Sequence, residues 1–331
     1  MADTIAVVGS ETLMGRELRD LLSANSFGAD VRLVATAEEP GGVLSLQGGE
    51  PAIVLQLDQV ALADADLLLL AGDPASTRSA LDLAHGTPAI DLTYASEDDP
   101  RSRLRAPMTE SHNFRVAPDA IQSIAHPAAI ALALLLQRLD SQDQFKVERW
   151  VVHVFEPASE RGAAGIRELQ EQTVSLLSFK PMPKKVFDSQ LSYSLLAQLG
   201  EEATVQLEHL ESRIERHLAT LLQNSGIGPM PSIRLIQAPV FHGYSFSVWM
   251  EFSGAMPDQS ALEALLATEN IHVHRGAVEP PNNVGIAGHE GISVGAILRD
   301  RNDAKAFWLW MAADNLRLAA QNALLVAQEV L

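Results

Sequence analysis

Three groups of residues have types and spacings that chemistry can use. Gly9-Ser10-Glu11-Thr12-Leu13-Met14-Gly15 follows the apolar run Thr4-Ile5-Ala6-Val7-Val8 and leads into Gly15 to Ala24, where Leu18, Leu21 and Leu22 lie at helical spacing. A buried strand, a glycine-bearing turn and a helix, in that order, open a dinucleotide-binding unit, with the helix N-terminus turned toward a pyrophosphate. His242 and Tyr244 lie two positions apart. On a strand their rings would share a face and offer proton donors or acceptors, although a lone histidine on a strand more often just finds a hydrogen bond. His272 and His274 have the same spacing, which suits a metal pair, but no third ligand stands at a useful distance and no metal is expected. His289-Glu290 shows no ligand spacing at all. The 331 residues contain no cysteine, which removes disulfides, thiolate metal sites and every thiol nucleophile together.

The elements that must position these groups fall into two styles. Strands are predicted at Thr4 to Val8, Val31 to Ala35, Asp66 to Ala71 and Thr87 to Leu92, with helices at Gly15 to Ala24 and Thr77 to His85 between them. Alternation of that kind predicts a Rossmann-like, doubly wound parallel sheet. The pattern changes near Pro127. Helices are predicted over Ala128 to Leu139, Ala163 to Ser178, Glu201 to Asn224 and Phe307 to Val330. Strands are predicted over Lys146 to Phe155, Ser232 to Ala238, Ser245 to Phe252, Ile271 to His274 and Ile292 to Arg299. The expected class is α/β with a doubly wound parallel sheet up to the change near Pro127 and α+β with a mostly antiparallel sheet beyond it.

Composition narrows the function classes. Formal charge is −18, so a basic nucleic-acid surface is not expected. Hydrophobic residues at 47% and charged ones at 20% describe a chain that can bury a core. The longest apolar stretch, Ala128 to Leu136, is too short for a bilayer, which needs about 20 residues. The N-terminus lacks a basic leader, and a cytoplasmic location is expected.

The segment order resembles the aspartate-semialdehyde dehydrogenase family over nearly the whole chain. The resemblance is carried by Val7-Val8-Gly9, Ile90-Asp91, Ser123-Ile124-Ala125-His126-Pro127, Ala158-Ser159 with Gly162 to Leu169, Ala238-Pro239-Val240-Phe241-His242-Gly243, and Ser293-Val294-Gly295. The closing Ala313-Asp314-Asn315-Leu316-Arg317 is its most specific piece. The resemblance implies a Rossmann domain in residues 1–127, completed by the helix 314–331, plus a dimer-forming α+β domain in residues 128–313. It also implies reduction of aspartyl phosphate by NADPH through a cysteine thioacyl intermediate, with a histidine handling protons and arginines holding the substrate's anionic groups.

Carried over position by position, that machinery is missing. Ala129 stands at the nucleophile, and a methyl group forms no acyl intermediate. Ser123 and Ser159 are neighbouring hydroxyls that read as cap or turn residues. Tyr244 replaces the histidine of the family's Gly-His-Ser, and Gln237 the carboxylate-gripping arginine seven positions earlier. Glu156 replaces the active-site glutamine, and Glu97 falls at a phosphate-binding arginine. The family's Glu-Glu-x-Lys becomes Glu201-Glu202-Ala203-Thr204, with Glu208 keeping a second acidic position. A pocket built for anions is thereby expected to be neutral or acidic, repelling a phosphate and a carboxylate.

The cofactor positions change in the same direction. Of the family's Gly-x-x-Gly-x-x-Gly, Gly9 and Gly15 remain and Thr12 replaces the middle glycine, with Glu11 beside it. Glu38 aligns with the arginine that selects NADPH, so NADP is disfavoured while NAD stays open through the ribose hydroxyls. Asn315, a nicotinamide-side contact in the family, is retained, with helix capping or loop support as the alternative role. The reading that follows is a pseudoenzyme similar to the Usg-type branch, inactive in the family reaction, on a homodimeric scaffold. Two alternatives stand beside it: an NAD-dependent oxidoreductase using Glu156, Tyr244 and His242, and a regulatory or heterodimer partner of an active paralogue. No nucleic acid, membrane or metal is expected as a partner.

Overall fold

The structure, a computed structural model, describes residues 3–24, 27–111, 114–117, 120–141, 145–225, 229–254, 256–276 and 278–331. It divides into two compact units, residues 1–125 with 319–331 and residues 126–318.

The first unit runs β1 (Thr4–Val8), α1 (Leu13–Ala24), β2 (Asp30–Val34), β3 (Val43–Gln47), β4 (Glu50–Val54), α2 (Gln59–Leu62), β5 (Leu67–Leu70), α3 (Pro74–Leu83), β6 (Ala89–Asp91), β7 (Ser102–Arg105) and β8 (Ile121–Ile124). Six of these strands form one parallel sheet in the order β2-β1-β5-β6-β8-β7. Ile5 to Val8 and Leu67 to Leu70 are fully buried, as strands covered on both faces must be. The order reverses at β1, the place where ligands of such sheets bind, beyond the carboxyl ends of the strands. Asp73 caps α3 by accepting from the Ala75 and Ser76 amides, with Pro74 opening the helix. The hairpin β3–β4, not anticipated in the sequence, pairs Leu44 with Ile53 and Ser45 with Ala52.

The second unit runs α4 (Pro127–Asp140), β9 (Phe145–Glu156), α5 (Gly162–Leu177), α6 (Leu207–Ser225), β10 (Ser232–Gln237), β11 (Tyr244–Gly254), α7 (Gln259–Leu266), β12 (Ile271–Val273), β13 (Ile292–Arg299) and β14 (Ala306–Ala313), and enters α8 (Asn315–Val330). The sheet order is β10-β9-β11-β14-β13-β12. The three central pairings are antiparallel and the two edge pairings, β10 with β9 and β12 with β13, are parallel.

Two expectations are corrected here. Phe307 to Val330 is not one helix: Ala306–Ala313 is an inner strand, and α8 starts at Asn315. Phe307, Leu309 and Met311 are buried while Trp308 and Trp310 face outward, which is the period of a strand. The helix expected from Glu201 starts instead at Leu207. Glu201 to Gln206 form a turn, in which the Gln206 amide donates back to the Gly200 carbonyl at 2.8 Å.

Among the described residues, no helix is long and apolar enough to cross a membrane.

Candidate functional site

The chemistry-bearing residues of the second unit meet where β9, α4, β11 and α8 begin or end. β9 finishes at Glu156, Pro157 follows, and a 3-10 turn over Ala158–Arg161 returns the chain toward the strand it has just left. This turn lays Arg161 against Glu156, with Nη2 donating to Oε2 at 2.9 Å. Both side chains are buried, 5% and 0% exposed respectively. Gly165 lets the turn sit tightly on α5, because a Cβ there would lie 2.3 Å from the Ala158 carbonyl oxygen.

Glu160 points into the same cluster. Its Oε1 accepts from Asn315 Nδ2 at 2.8 Å, and its Oε2 lies 3.7 Å from His126 Nε2. The Tyr244 hydroxyl lies near both carboxylates and works to lower the pKa of each. Burial, reinforced by the neighbouring Glu156 carboxylate, pushes Glu160 from its ordinary value near 4.5 up to about 7. Burial also raises Glu156, against the pull of Arg161. Arg161 itself is held above its ordinary range: burial works to lower it, but the carboxylates prevail. His126 is driven well below the usual imidazole value, by burial first and then by His217, Arg213 and Arg161.

Ala129 lies in the first turn of α4, with no exposed surface. A thiol at a helix N-terminus would have its pKa lowered there. This helix instead has His126 as its cap, with Nδ1 accepting from the Ala128 amide at 3.3 Å. With Nδ1 an acceptor, the proton of neutral His126 sits on Nε2, facing Glu160. The His126 amide in turn donates to His217 Nδ1 at 2.9 Å.

Gln237 ends β10 opposite Glu156 and is fully buried. Its amide nitrogen donates to the Glu156 carbonyl at 2.8 Å, so the side chain fastens backbone to backbone. Asn315 accepts from the Gly243 amide at 3.2 Å and shares a hydrogen bond with Ser159, which ties the 3-10 turn, the loop before β11 and the start of α8 together. His242 does not share a strand face with Tyr244: β11 starts at Tyr244, and Gly243 between them has φ of 80°. Glu201, Glu202 and Glu208 are exposed and stand outside the cluster. His272 is exposed, His274 bonds the Glu279 carbonyl, and among the described residues no group of side chains could hold a metal.

Sequence reasoning missed Glu160, Arg161 and His217. Most consequential is Arg161, because the pocket does contain a guanidinium, but one already engaged by Glu156. The signal available was small: an Arg five positions after Glu156, just ahead of a glycine.

In the first unit, the seven-residue turn is tied to its own chain. Thr12 Oγ1 donates to the Ala71 carbonyl at 2.7 Å and accepts from the Gly15 amide at 3.0 Å, acting as the cap of α1. Glu11 accepts from Arg19, from Arg16 at 3.3 Å and from Ser45 at 2.9 Å. Glu38 is exposed beyond β2, and Glu97 is half-buried beyond β6. These donors and acceptors do not fit a dinucleotide diphosphate.

Comparison with known proteins places the geometry in context. Residues 136–318 match a family profile described as "Semialdehyde dehydrogenase, dimerisation domain". A USG-1 protein homolog of Pseudomonas aeruginosa is 30% identical, with 98% of this chain and 96% of that protein covered. An aspartate-semialdehyde dehydrogenase of Rickettsia bellii is 26% identical over 99% of this chain and 97% of its own. Among solved structures, a probable aspartate-semialdehyde dehydrogenase from Pseudomonas aeruginosa superposes with a TM-score of 0.85 at 27% identity, covering 100% of this chain and 98% of the other.

Proposed function

Because the chain belongs to the semialdehyde dehydrogenase family, we propose that it is a member that has kept the family scaffold and given up the family reaction. The observation that carries this reading is the pairing of a buried methyl group at Ala129 with the buried Arg161–Glu156 ion pair. Acyl transfer through a covalent enzyme intermediate starts with a nucleophile, and none of the side chains in the cluster is a thiol. Anion binding starts with an available cation, and here Glu156 already occupies Arg161. Gln237, tied to the Glu156 carbonyl, supplies no charge for a substrate carboxylate.

Assembly as a homodimer belongs to the same proposal. Helices α4, α6 and α7 pack on one face of the second sheet. The other face carries Val151, Phe155, Trp249, Trp308 and Trp310, with Val151 36% and Trp308 38% exposed. Aromatic residues at the centre of a flat face mark a protein–protein contact.

The deciding experiment assays the purified chain for phosphate-dependent oxidation of aspartate semialdehyde with NADP or NAD, alongside Ala129→Cys. Both proteins are expected to be inactive, since a restored thiol still lacks the histidine and the free arginine. Turnover by the wild-type chain that survives further purification would falsify the proposal. Sedimentation of wild type and Trp310→Asp tests assembly, with a dimer and a monomer expected in turn. Co-expression with an active family member shows whether mixed dimers form.

A further inference from the structure

We propose that Glu11 is a built-in ligand of the Gly9–Gly15 turn, and that with Thr12 it closes the first unit to nicotinamide dinucleotides. The argument is separate from the missing thiol, since a chain without a nucleophile can still hold a cofactor.

It begins with the cation nearest the turn. Arg19 lies on α1 with its side chain 7% exposed. A guanidinium has five N–H donors, and all five are committed here. Nε donates to Gln47 Oε1 at 3.0 Å; Nη1 to the Ser10 carbonyl at 3.1 Å and to Glu11; Nη2 to Ser45 Oγ at 3.0 Å and to the Leu46 carbonyl. The other nearby cation, Arg16, reaches the second oxygen of the same Glu11 carboxylate. The Ser45 hydroxyl and the two arginines hold Glu11 below the usual carboxylate range against the opposing effect of partial burial, so it is fully ionised at neutral pH. A diphosphate arriving at this turn would meet a resident anion whose buried cation, Arg19, has nothing further to donate.

The second residue takes part of the helix terminus for itself. An α-helix leaves its first four amides without intrahelical partners, and these are the donors a phosphate uses. In α1, capped by Thr12, they belong to residues 12–15. The Gly15 amide is taken by Thr12 Oγ1 and the Thr12 amide by the Gly9 carbonyl, each at 3.0 Å. Thr12 also bonds Ala71 in the loop after β5, while a Cβ on Gly9 would lie 2.3 Å from Gly72 Cα. The loops following β1 and β5 are thus pinned together at the point where the strand order reverses. A third tie runs from the Ala37 amide to Ser76 Oγ at 2.8 Å, joining the end of β2 to the first turn of α3. The retained glycines accordingly have a packing role, and Glu38 and Glu39 add exposed negative charge nearby.

The test is calorimetric titration of the full chain with NADH and NADPH to low-millimolar concentration, for wild type, Glu11→Gln, and the double variant Glu11→Gly/Thr12→Gly. Wild type is expected to show no saturable binding of either. The double variant is expected to gain saturable NADH binding, by roughly tenfold or more over wild type. Glu11→Gln, which keeps size and removes charge, is expected to gain less. Saturable wild-type binding overturns the proposal. So does a double variant that keeps the wild-type melting profile yet stays silent, because the two side chains would then not be what closes the site. Should the double variant not fold, Glu11→Gln decides in the same way: a gain supports the closure and silence overturns it. A chain that binds the dinucleotide would still lack the thiol, so failure here leaves the missing nucleophile to be tested by the turnover assay.

Discussion

The turn of the first unit and the buried cluster of the second are built on one device, a carboxylate held by an arginine of the same chain. Their electrostatics differ in sign. Glu11 is a quarter exposed and its pKa is lowered: desolvation is the largest single influence, but the hydroxyl and guanidinium partners together outweigh it. Glu156 has no exposure and its pKa is raised although Arg161 lies 2.9 Å away, because desolvation outweighs even a close ion pair. The comparison teaches that exposure decides what an internal ion pair does. Where the carboxylate keeps some contact with water it is a removable plug; fully buried it becomes a structural element that cannot lose one member alone.

The largest effect should come from breaking the buried pair. Arg161→Met leaves Glu156 and Glu160 buried beside each other without their cation, and a loss of about 3–5 kcal/mol in urea unfolding is expected. The double variant Glu156→Met/Arg161→Met should recover most of that loss, since replacing a whole buried pair by apolar residues is often neutral. A single variant that costs under about 1 kcal/mol would mean that water reaches the pair, and the contrast between the two regions would collapse.

Next comes the pH dependence of Glu160. Its folded pKa of about 7 lies above its ordinary value near 4.5, so the folded state holds this proton more tightly than the unfolded chain does. The resulting stabilisation is complete below pH 4.5 and is lost as pH rises through 7. At about 1.4 kcal/mol per pKa unit the whole change is about 3 kcal/mol. His126 opposes it: its lowered pKa costs stability as pH falls below the usual imidazole range. The informative quantity is therefore the difference between wild type and Glu160→Gln. Glu160→Gln should gain on wild type steadily from pH 5 to pH 8, and a flat difference would place Glu160 in a solvent-like environment.

Some of this was legible in the sequence. The strand of Ile5 to Val8 and its turn were, because a fully apolar run ending in glycine has few other uses. The strand of Ala306 to Ala313 was not: its aromatic run joins a helix of similar hydropathy, and only the outward Trp308 and Trp310 separate the two periods. At the site, Ala129, Gln237 and Tyr244 were legible from their places in motifs. Glu160 and Arg161 were not, because their meaning arises from a 3-10 turn that folds Arg161 back onto a residue five positions earlier. His217 was invisible for a different reason, since it meets His126 across 91 positions of chain.

A smaller effect is expected at the cap of α1. Thr12→Ala removes the acceptor of the Gly15 amide and the donor to the Ala71 carbonyl. A loss of about 1 kcal/mol in urea unfolding follows from the usual value of such caps. A loss of several times that would mean the tie between the loops after β1 and β5 carries more of the unit than a helix cap does.

The smallest effect sharpens the contrast directly, because it makes one change, carboxylate to amide, in both regions. Glu11→Gln keeps an acceptor oxygen for Arg19 and Ser45, and its surroundings remain partly wet. Glu11 keeps a quarter of its side-chain surface in water although Arg19 keeps only 7%, and a loss of about 1 kcal/mol is expected. Glu156→Gln leaves the Arg161 guanidinium buried with Glu160 as its remaining anionic neighbour, at a cost expected to exceed that of Glu11→Gln by about 2 kcal/mol or more. Unfolding both proteins in urea at one pH gives the comparison in a single pair of curves. Equal losses would mean that the two ion pairs are energetically alike and that burial does not separate them.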